Sequence, residues 1–254
     1  MNLLKKNNYF PLLNIKITAL TLSQVIEFIK KTIDEKQRRL IFTINLDHLQ
    51  KISKNKKFKE TYCQANLIVA DGTPIVWLSK IFGSTKLPCR VNGTNLVKKI
   101  LEISTTENFR IFLLGGRKKT LEKLKEKYPR AKIVGIISPP FNQISDWPNS
   151  QYRQQITKSK ANIVLVALGA PRQEKWLVKN FFATGANIGV GVGSAVELLA
   201  GIKKRAPVWM QKSGLEWLFR LIQEPKRLGR RYLNQLFFIP RLLVKLIYES
   251  CYRS

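Results

Sequence analysis

Short, almost wholly apolar runs rich in β-branched residues alternate along this chain with longer segments of helical period. No other feature restricts the fold so tightly. The runs are LLNIKI (12–17), LIFTIN (40–45), LIVA (67–70), RIFLLG (110–115), AKIVGI (131–136), NIVLVAL (162–168) and NIGVGV (187–192). A strand with one wet face alternates apolar and polar residues, whereas a strand covered on both faces has no such need. Between the runs, SQVIEFIKKTI places Val25, Ile26, Ile29 and Ile33 on one helical face, with Ser23 as its N-cap. GTNLVKKILEI and KKTLEKLKEKY repeat the theme. Such alternation implies an α/β fold: a doubly wound parallel sheet, helices on both faces, right-handed crossovers.

The strand signal stops near residue 200. From Ala200 to Ser254 the text is helical, aromatic and basic, with twelve Lys or Arg against three Glu. Residues 1–200 therefore read as the α/β unit and 201–254 as a C-terminal helical appendage. The formal charge of the whole 254-residue chain is +29, which calls for an anionic partner: nucleic acid, anionic lipid or a phosphorylated substrate. Three cysteines without CxxC spacing and a single histidine, His48, argue against a zinc site and for reduced, cytosolic thiols. The N-terminus lacks the apolar core and cleavage site of a signal peptide, and no window of 18 uninterrupted apolar residues suggests a spanning helix.

In open parallel sheets, ligands sit beyond the carboxyl ends of the strands. The unusual residues fall there. Thr43 and Asn45 end the second run, and Asp71 follows the third. Gly115 and Gly116 follow the fourth, GAPRQEKW (169–176) the sixth, and GVGSAVELLAG (191–201) the seventh. Five such positions predict one cleft lined by strand ends. Thr73 and Pro74 suit the N-cap and first position of a helix, which leaves the nearby Asp71 carboxylate free of that task. A partly desolvated carboxylate has a raised pKa and suits a general base. Pro171 suits a helix start whose backbone N–H groups could receive an anion. Arg172, Gln173 and Glu174 read as solvated groups on that first turn. GVGVGSAV fits the dinucleotide fingerprint poorly, since Val196 stands where the third Gly belongs. His48 reads as a residue behind the site.

In the tail, Leu, Phe and Ile alternate with Arg241 and Lys245, and Pro240 should kink the helix. Basic amphipathic segments of this kind lie in a membrane interface rather than across it, or pack their apolar face on the core. A nucleic-acid partner would also explain the charge, but no nucleic-acid motif appears and the strand-end residues would go unused.

TINLDHL, VADGTPIVW, RVNGTNL, FLLGG, VALGAPRQEKW, GVGVGSAVELLAG and KRAPVWMQKSGLEWLFRLIQEPKRLGRRYL, in this order, resemble the WecG/TagA/CpsF family of bacterial glycosyltransferases over roughly residues 12 to 235. The resemblance implies a Rossmann-like fold with an appendage that meets the membrane. It implies a cytoplasmic enzyme, peripheral on the inner face of the plasma membrane. The reaction would be inverting transfer of a sugar from a UDP-sugar to a polyprenyl-diphosphate-linked sugar, with neither cofactor nor metal. In well-known members, N-acetylmannosamine goes onto undecaprenyl-diphosphate N-acetylglucosamine for wall teichoic acid. Others transfer N-acetylmannosaminuronic acid or glucose for antigens and exopolysaccharides. A homo-oligomer is compatible with this reading.

By position, Asp71 matches the family's catalytic base. Thr43 and Asn45 match polar residues of its pocket, and Arg90 and Gln173 match substrate contacts. Arg220, Arg227 and Arg230 match arginines that reach a diphosphate. Gly191, Gly193 and Glu197 fall in the expected sugar pocket. Glu197 stands where many relatives have Asp, Ser194 where they often have Gly, and Asn92 where Thr is common. These departures bear on the donor sugar more than on the reaction class.

Overall fold

The computed structural model describes residues 8–140 and 147–251. Its centre is a six-stranded, all-parallel sheet. The strands are β3 (Arg39–Ile44), β4 (Leu67–Ala70), β5 (Ile111–Leu114), β6 (Ile133–Ile137), β7 (Ile163–Val166) and β8 (Ile188–Gly191), in the order β4-β3-β8-β7-β5-β6. The chain runs outward from β3 to β4, then crosses to β5 on the far side. The order therefore reverses beside β3, where a parallel sheet opens a crevice at its carboxyl edge.

The period-two alternation of side chains splits each strand between two cores. Phe42, Phe112 and Val164 face one; Ile41, Leu113 and Leu165 face the other. The first core is closed by α2 (Leu46–Lys54), α3 (Lys56–Cys63), α4 (Thr73–Phe82), α7 (Asn149–Lys158) and α8 (Arg172–Asn180). The second is closed by α1 (Leu22–Asp34), α5 (Gly93–Ile103), α6 (Lys118–Lys127) and α9 (Ala195–Leu199). With helices on both faces, a β-strand has no wet side, which is why the runs are apolar throughout.

The first apolar run departs from expectation. LLNIKI is not one strand of the parallel sheet. It lies in an antiparallel hairpin, β1 (Tyr9–Leu12) and β2 (Ile15–Thr18), with Leu13 and Asn14 at positive φ in the two-residue turn. Such a turn needs two left-handed residues, and Asn tolerates that conformation. The cap of α1 is Thr21 rather than Ser23: its hydroxyl accepts from Gln24 N while the Gln24 side chain accepts from Thr21 N. This reciprocal pair satisfies two otherwise orphaned donors.

The last three helices are α10 (Val208–Lys212), α11 (Glu216–Gln223) and α12 (Pro225–Cys251). The last packs on α2 and α4, and its Leu242 and Leu246 enter the first core. Pro240 lies inside α12, and the helix continues on both sides of it. Its opposite face leaves Leu233, Leu236, Phe237, Val244, Ile247 and Tyr248 exposed, a stripe at helical spacing. Among the described residues no helix is long and apolar enough to cross a membrane.

Candidate active site

Two cavities meet under the appendage. One, of about 540 Å³, lies along the carboxyl edge of the sheet and is lined from five strand ends, including Thr43, Asp71, Gly116, Gly169 and Gly193. The other, of about 390 Å³, lies between α4 and the appendage. Its walls include Leu46, Pro74, Trp217, Tyr232, Leu236 and Ile239. The first is the polar cleft expected from the strand-end positions; the second has an apolar lining and no counterpart in that expectation. Asn45, Asp47, Asp71, Asn92, Arg220, Arg231 and Tyr232 line both.

Asp71 follows β4 directly, and its N–H donates to Ile44 O at 2.8 Å, so the backbone is fixed at the seam. The capping expectation beside it needs correction. The N-cap of α4 is Gly72, with no side-chain cap bond, and Thr73 is already helical. Asp71 does have a structural contact, on another helix: its Oδ1 accepts from Gly93 N, the first residue of α5, at 3.1 Å. Its second oxygen has no protein donor among the described residues. Burial raises the Asp71 pKa above the ordinary carboxylate range, against the pull of Arg220, the Gly93 N–H and Arg90. The nearby Glu216 carboxylate pushes in the same direction as burial.

The charges around it form a network that joins core and appendage. Arg90, from the loop before α5, donates to Glu216 Oε2 at 3.1 Å, and Arg220 donates to Glu216 Oε1 at 2.7 Å. Burial alone would raise the Glu216 pKa, but Arg220 and Arg90 override it and hold the carboxyl below its usual range. Asp47, also buried and also held ionised below the usual range, sits between Lys51 Nζ at 2.7 Å and Arg231 Nε at 3.2 Å. At the rim of the polar cavity, Lys203 bridges Glu197 (2.6 Å) on the core and Glu224 (3.1 Å) on the appendage.

Several residues singled out in the sequence have identifiable local duties. Asn45 caps α2 through its side-chain oxygen, which accepts from Asp47 N and His48 N, and Asn92 caps α5. Gln173 and Glu174 are not solvated: they are 3% and 1% exposed. Gln173 Oε1 accepts from Gly193 N at 2.9 Å, and its Nε2 donates to Glu174 Oε1 at 2.8 Å. That holds the Gly193 turn in place on the polar cavity. Gly191 does not line either cavity; it leaves space against which the Gln173 side chain packs. Glu174 Oε2 is buried with no hydrogen-bond partner among the described residues, and burial pushes its pKa up to about 7. His48, expected behind the site, is buried but reaches the wall of the polar cavity. Its Nδ1 accepts from Asn45 N, and burial pushes its pKa down to about 3, so the ring is neutral.

Thr43, Gln173, Gly193 and Glu197 line the polar cavity, Arg90 the apolar one, and Asn45, Asp71 and Arg220 both. Arg230 has an exposed side chain and lines neither, whereas its neighbour Arg231 lines both. The side chain of Arg227 lies outside the described residues. Asp47, Glu216 and Arg231 were missed from the sequence. For Glu216 a signal was present: it is one of only three acids in the basic stretch from Ala200 to Ser254. Among the described residues, no group of three or more His, Cys, Asp or Glu is placed to hold a metal ion.

A doubly wound parallel sheet with a polar strand-end cleft, a carboxylate at its seam and guanidinium groups near it is the architecture of an α/β enzyme. The family comparison narrows this. Residues 10–251 match the model of the glycosyl transferase WecG/TagA/CpsF family, and the chain belongs to that family; it is a glycosyltransferase. The match extends further into α12 than the sequence motifs alone reached. The chain is 29% identical over 222 residues to an N-acetylglucosaminyldiphosphoundecaprenol N-acetyl-beta-D-mannosaminyltransferase of Bacillus subtilis (strain 168), covering 85% of this chain and 84% of the relative. It is 28% identical over 228 residues to the enzyme of the same name from Staphylococcus aureus (strain MW2), covering 86% of each.

Proposed function

We propose that this protein transfers a hexose, N-acetylmannosamine first among the choices, from a UDP-sugar to a polyprenyl-diphosphate-linked sugar, with inversion and without a metal. The observation that carries the reading is the position of Asp71, on the wall shared by a polar cavity and an apolar one. The relatives' names supply the acceptor class. The polar cavity takes the nucleotide sugar, beyond the strand ends where such ligands bind. The apolar cavity takes the lipid-linked acceptor. Asp71 takes the proton from the acceptor hydroxyl as its oxygen bonds to the anomeric carbon. The bond from that carbon to the diphosphate oxygen breaks, and UDP leaves with the electron pair. One carboxylate suffices for such a direct displacement. Guanidinium groups of the seam meet the charge gathering on the leaving diphosphate.

The apolar stripe of α12 supports docking on a membrane surface. Leu236 and Trp217 are exposed and also line the apolar cavity, so that cavity opens where apolar side chains face outward. Each basic residue of the appendage that faces an anionic leaflet would add about 1 kcal/mol. These features support a peripheral position, on the inner face of the plasma membrane in our reading.

Incubation with a panel of UDP-sugars and a short-chain lipid-diphosphate acceptor, read by mass spectrometry, tests the reading. Transfer that survives EDTA is expected, and no transfer from any UDP-sugar would refute it. Asp71→Asn keeps an oxygen for Gly93 N but removes the base. It should lower kcat by about 10²- to 10⁴-fold while UDP still binds. In the wild type, activity should fall as pH drops through the raised Asp71 pKa, above the usual carboxylate range. Turnover of Asp71→Asn within a fewfold of wild type would remove Asp71 as the base.

A further inference from the structure

Two arginines line both cavities, and they are committed differently. Arg220 already gives one amino group to Glu216. Arg231 meets the protein on one flank only: its Nε lies 3.2 Å from Asp47 Oδ1, as an ion pair out of line for a hydrogen bond. Its two terminal amino groups have no acceptor among the described residues. Asp47 is itself held by further hydrogen bonds. Asp47 N donates to Asn45 Oδ1, Asp47 Oδ2 accepts from Lys51 Nζ at 2.7 Å, and Lys51 Nζ also donates to Ala170 O. The guanidinium is thus anchored at its base, about one-third exposed, and aimed with four free N–H donors at the place where the cavities join. A planar fork of donors with no protein acceptor suits paired phosphate oxygens.

We propose that Arg231 is a diphosphate-binding residue at the seam, and that Asp47 is the positioning residue that aims it. The proposal deepens the glycosyltransferase reading and takes from it the two diphosphates, one on the donor nucleotide and one on the lipid acceptor. Arg231 belongs to the appendage and Asp47 to α2 of the core, so the site is complete only when α12 is docked. Gln50 Nε2, which donates to Asn234 O at 2.7 Å, helps fix that docking.

The test uses the full chain. Binding of inorganic pyrophosphate and of UDP is measured by calorimetry, and KM is measured separately for donor and acceptor. Arg231→Gln should weaken at least one diphosphate ligand by about 10- to 100-fold, the worth of a charge-assisted contact. Loss of UDP and pyrophosphate binding assigns Arg231 to the donor; a raised acceptor KM with UDP binding intact assigns it to the acceptor. A folded Arg231→Gln protein with all of these values within twofold of wild type overturns the proposal. Arg231→Lys keeps the charge without the fork and should lose several-fold; should Arg231→Gln fail to fold, an Arg231→Lys protein equal to wild type overturns it instead. Lys99→Gln, exposed on α5 and outside both cavities, removes the same charge. An equal loss there would assign the effect to net charge and overturn the site.

Asp47→Asn should raise the same constant that Arg231→Gln raises. The double variant should be no worse than Arg231→Gln alone, because both act on one contact. Additive losses would overturn the positioning role. A wild type that transfers no sugar from a UDP-sugar to the lipid-linked acceptor defeats the proposed donor and acceptor instead, and the pyrophosphate titration then still decides Arg231.

Discussion

Glu174→Gln should change how stability depends on pH, because two buried groups oppose each other in the wild type. Glu174 titrates near 7 in the fold against an ordinary 4.5, through burial. Between those values the folded chain holds a proton that the unfolded chain has released. Glu174 therefore favours folding at low pH, and that contribution is lost as pH rises from about 4.5 to 7. The interval corresponds to about 3 kcal/mol. His48, whose Nε2 lies 3.9 Å from Glu174 Oε1, titrates near 3 against an ordinary 6.5, again through burial. Here the unfolded chain binds the proton that the fold refuses. Stability is lost as pH falls from about 6.5 toward 3, by about 5 kcal/mol over the full interval. From about pH 4.5 to 6.5 the two slopes nearly cancel. Glutamine keeps an oxygen for Gln173 Nε2 and carries no charge, so the variant shows the His48 slope alone. Its stability should climb with pH through that window and exceed wild type above pH 7 by up to about 3 kcal/mol, or about 6 to 12 °C in Tm. Urea unfolding at pH 5, 6, 7 and 8 reads this directly. Asp47 and Lys51, which also act on both groups, are unchanged between the two proteins. A difference between variant and wild type that is the same at pH 5 and pH 8 would refute the argument.

Gly115→Ala should destabilise the protein by about 3 kcal/mol or more, from a side chain at φ +102° and a Cβ placed 2.7 Å from the Ala167 backbone. Gly116→Ala, at φ +83° with its nearest neighbour 3.8 Å away, should cost only the strain of about 1–2 kcal/mol, and thermal unfolding of the pair separates the two. Replacing Phe237 and Val244 by Asp on the exposed stripe of α12 should release the protein from anionic vesicles in a flotation assay, while UDP binding holds. Undiminished flotation would move the membrane contact elsewhere.

The sheet was legible because burial on both faces leaves a mark on every strand residue. Six of the seven apolar runs became its six strands. The seventh, LLNIKI, carries Asn14 and Lys16 among its apolar residues and is cut by a turn at Leu13 and Asn14. Apolar content does not say which partner a strand takes. The strand-end cleft was also legible, since topology alone sends those residues to one edge. The capping assignments failed by one or two positions at Ser23 and Thr73: Thr21 and Ser23 offer similar chemistry, Gly72 caps α4 with no side chain at all, and backbone geometry selects the position.

By itself, the sequence determined the layers, the polar edge and the place of Asp71 on it, through period and order. Only the tertiary structure decided what surrounds that acid. Arg90 and Glu216 are 126 residues apart in the chain, and Asp47 and Arg231 are separated by most of its length, yet each pair meets within 3.2 Å. Charges on separate elements carry no mutual period, so nothing local announces their pairing. The packing of α12 on α2 and α4, and of α11 on α12, brings them together, and with them the second cavity and the seam.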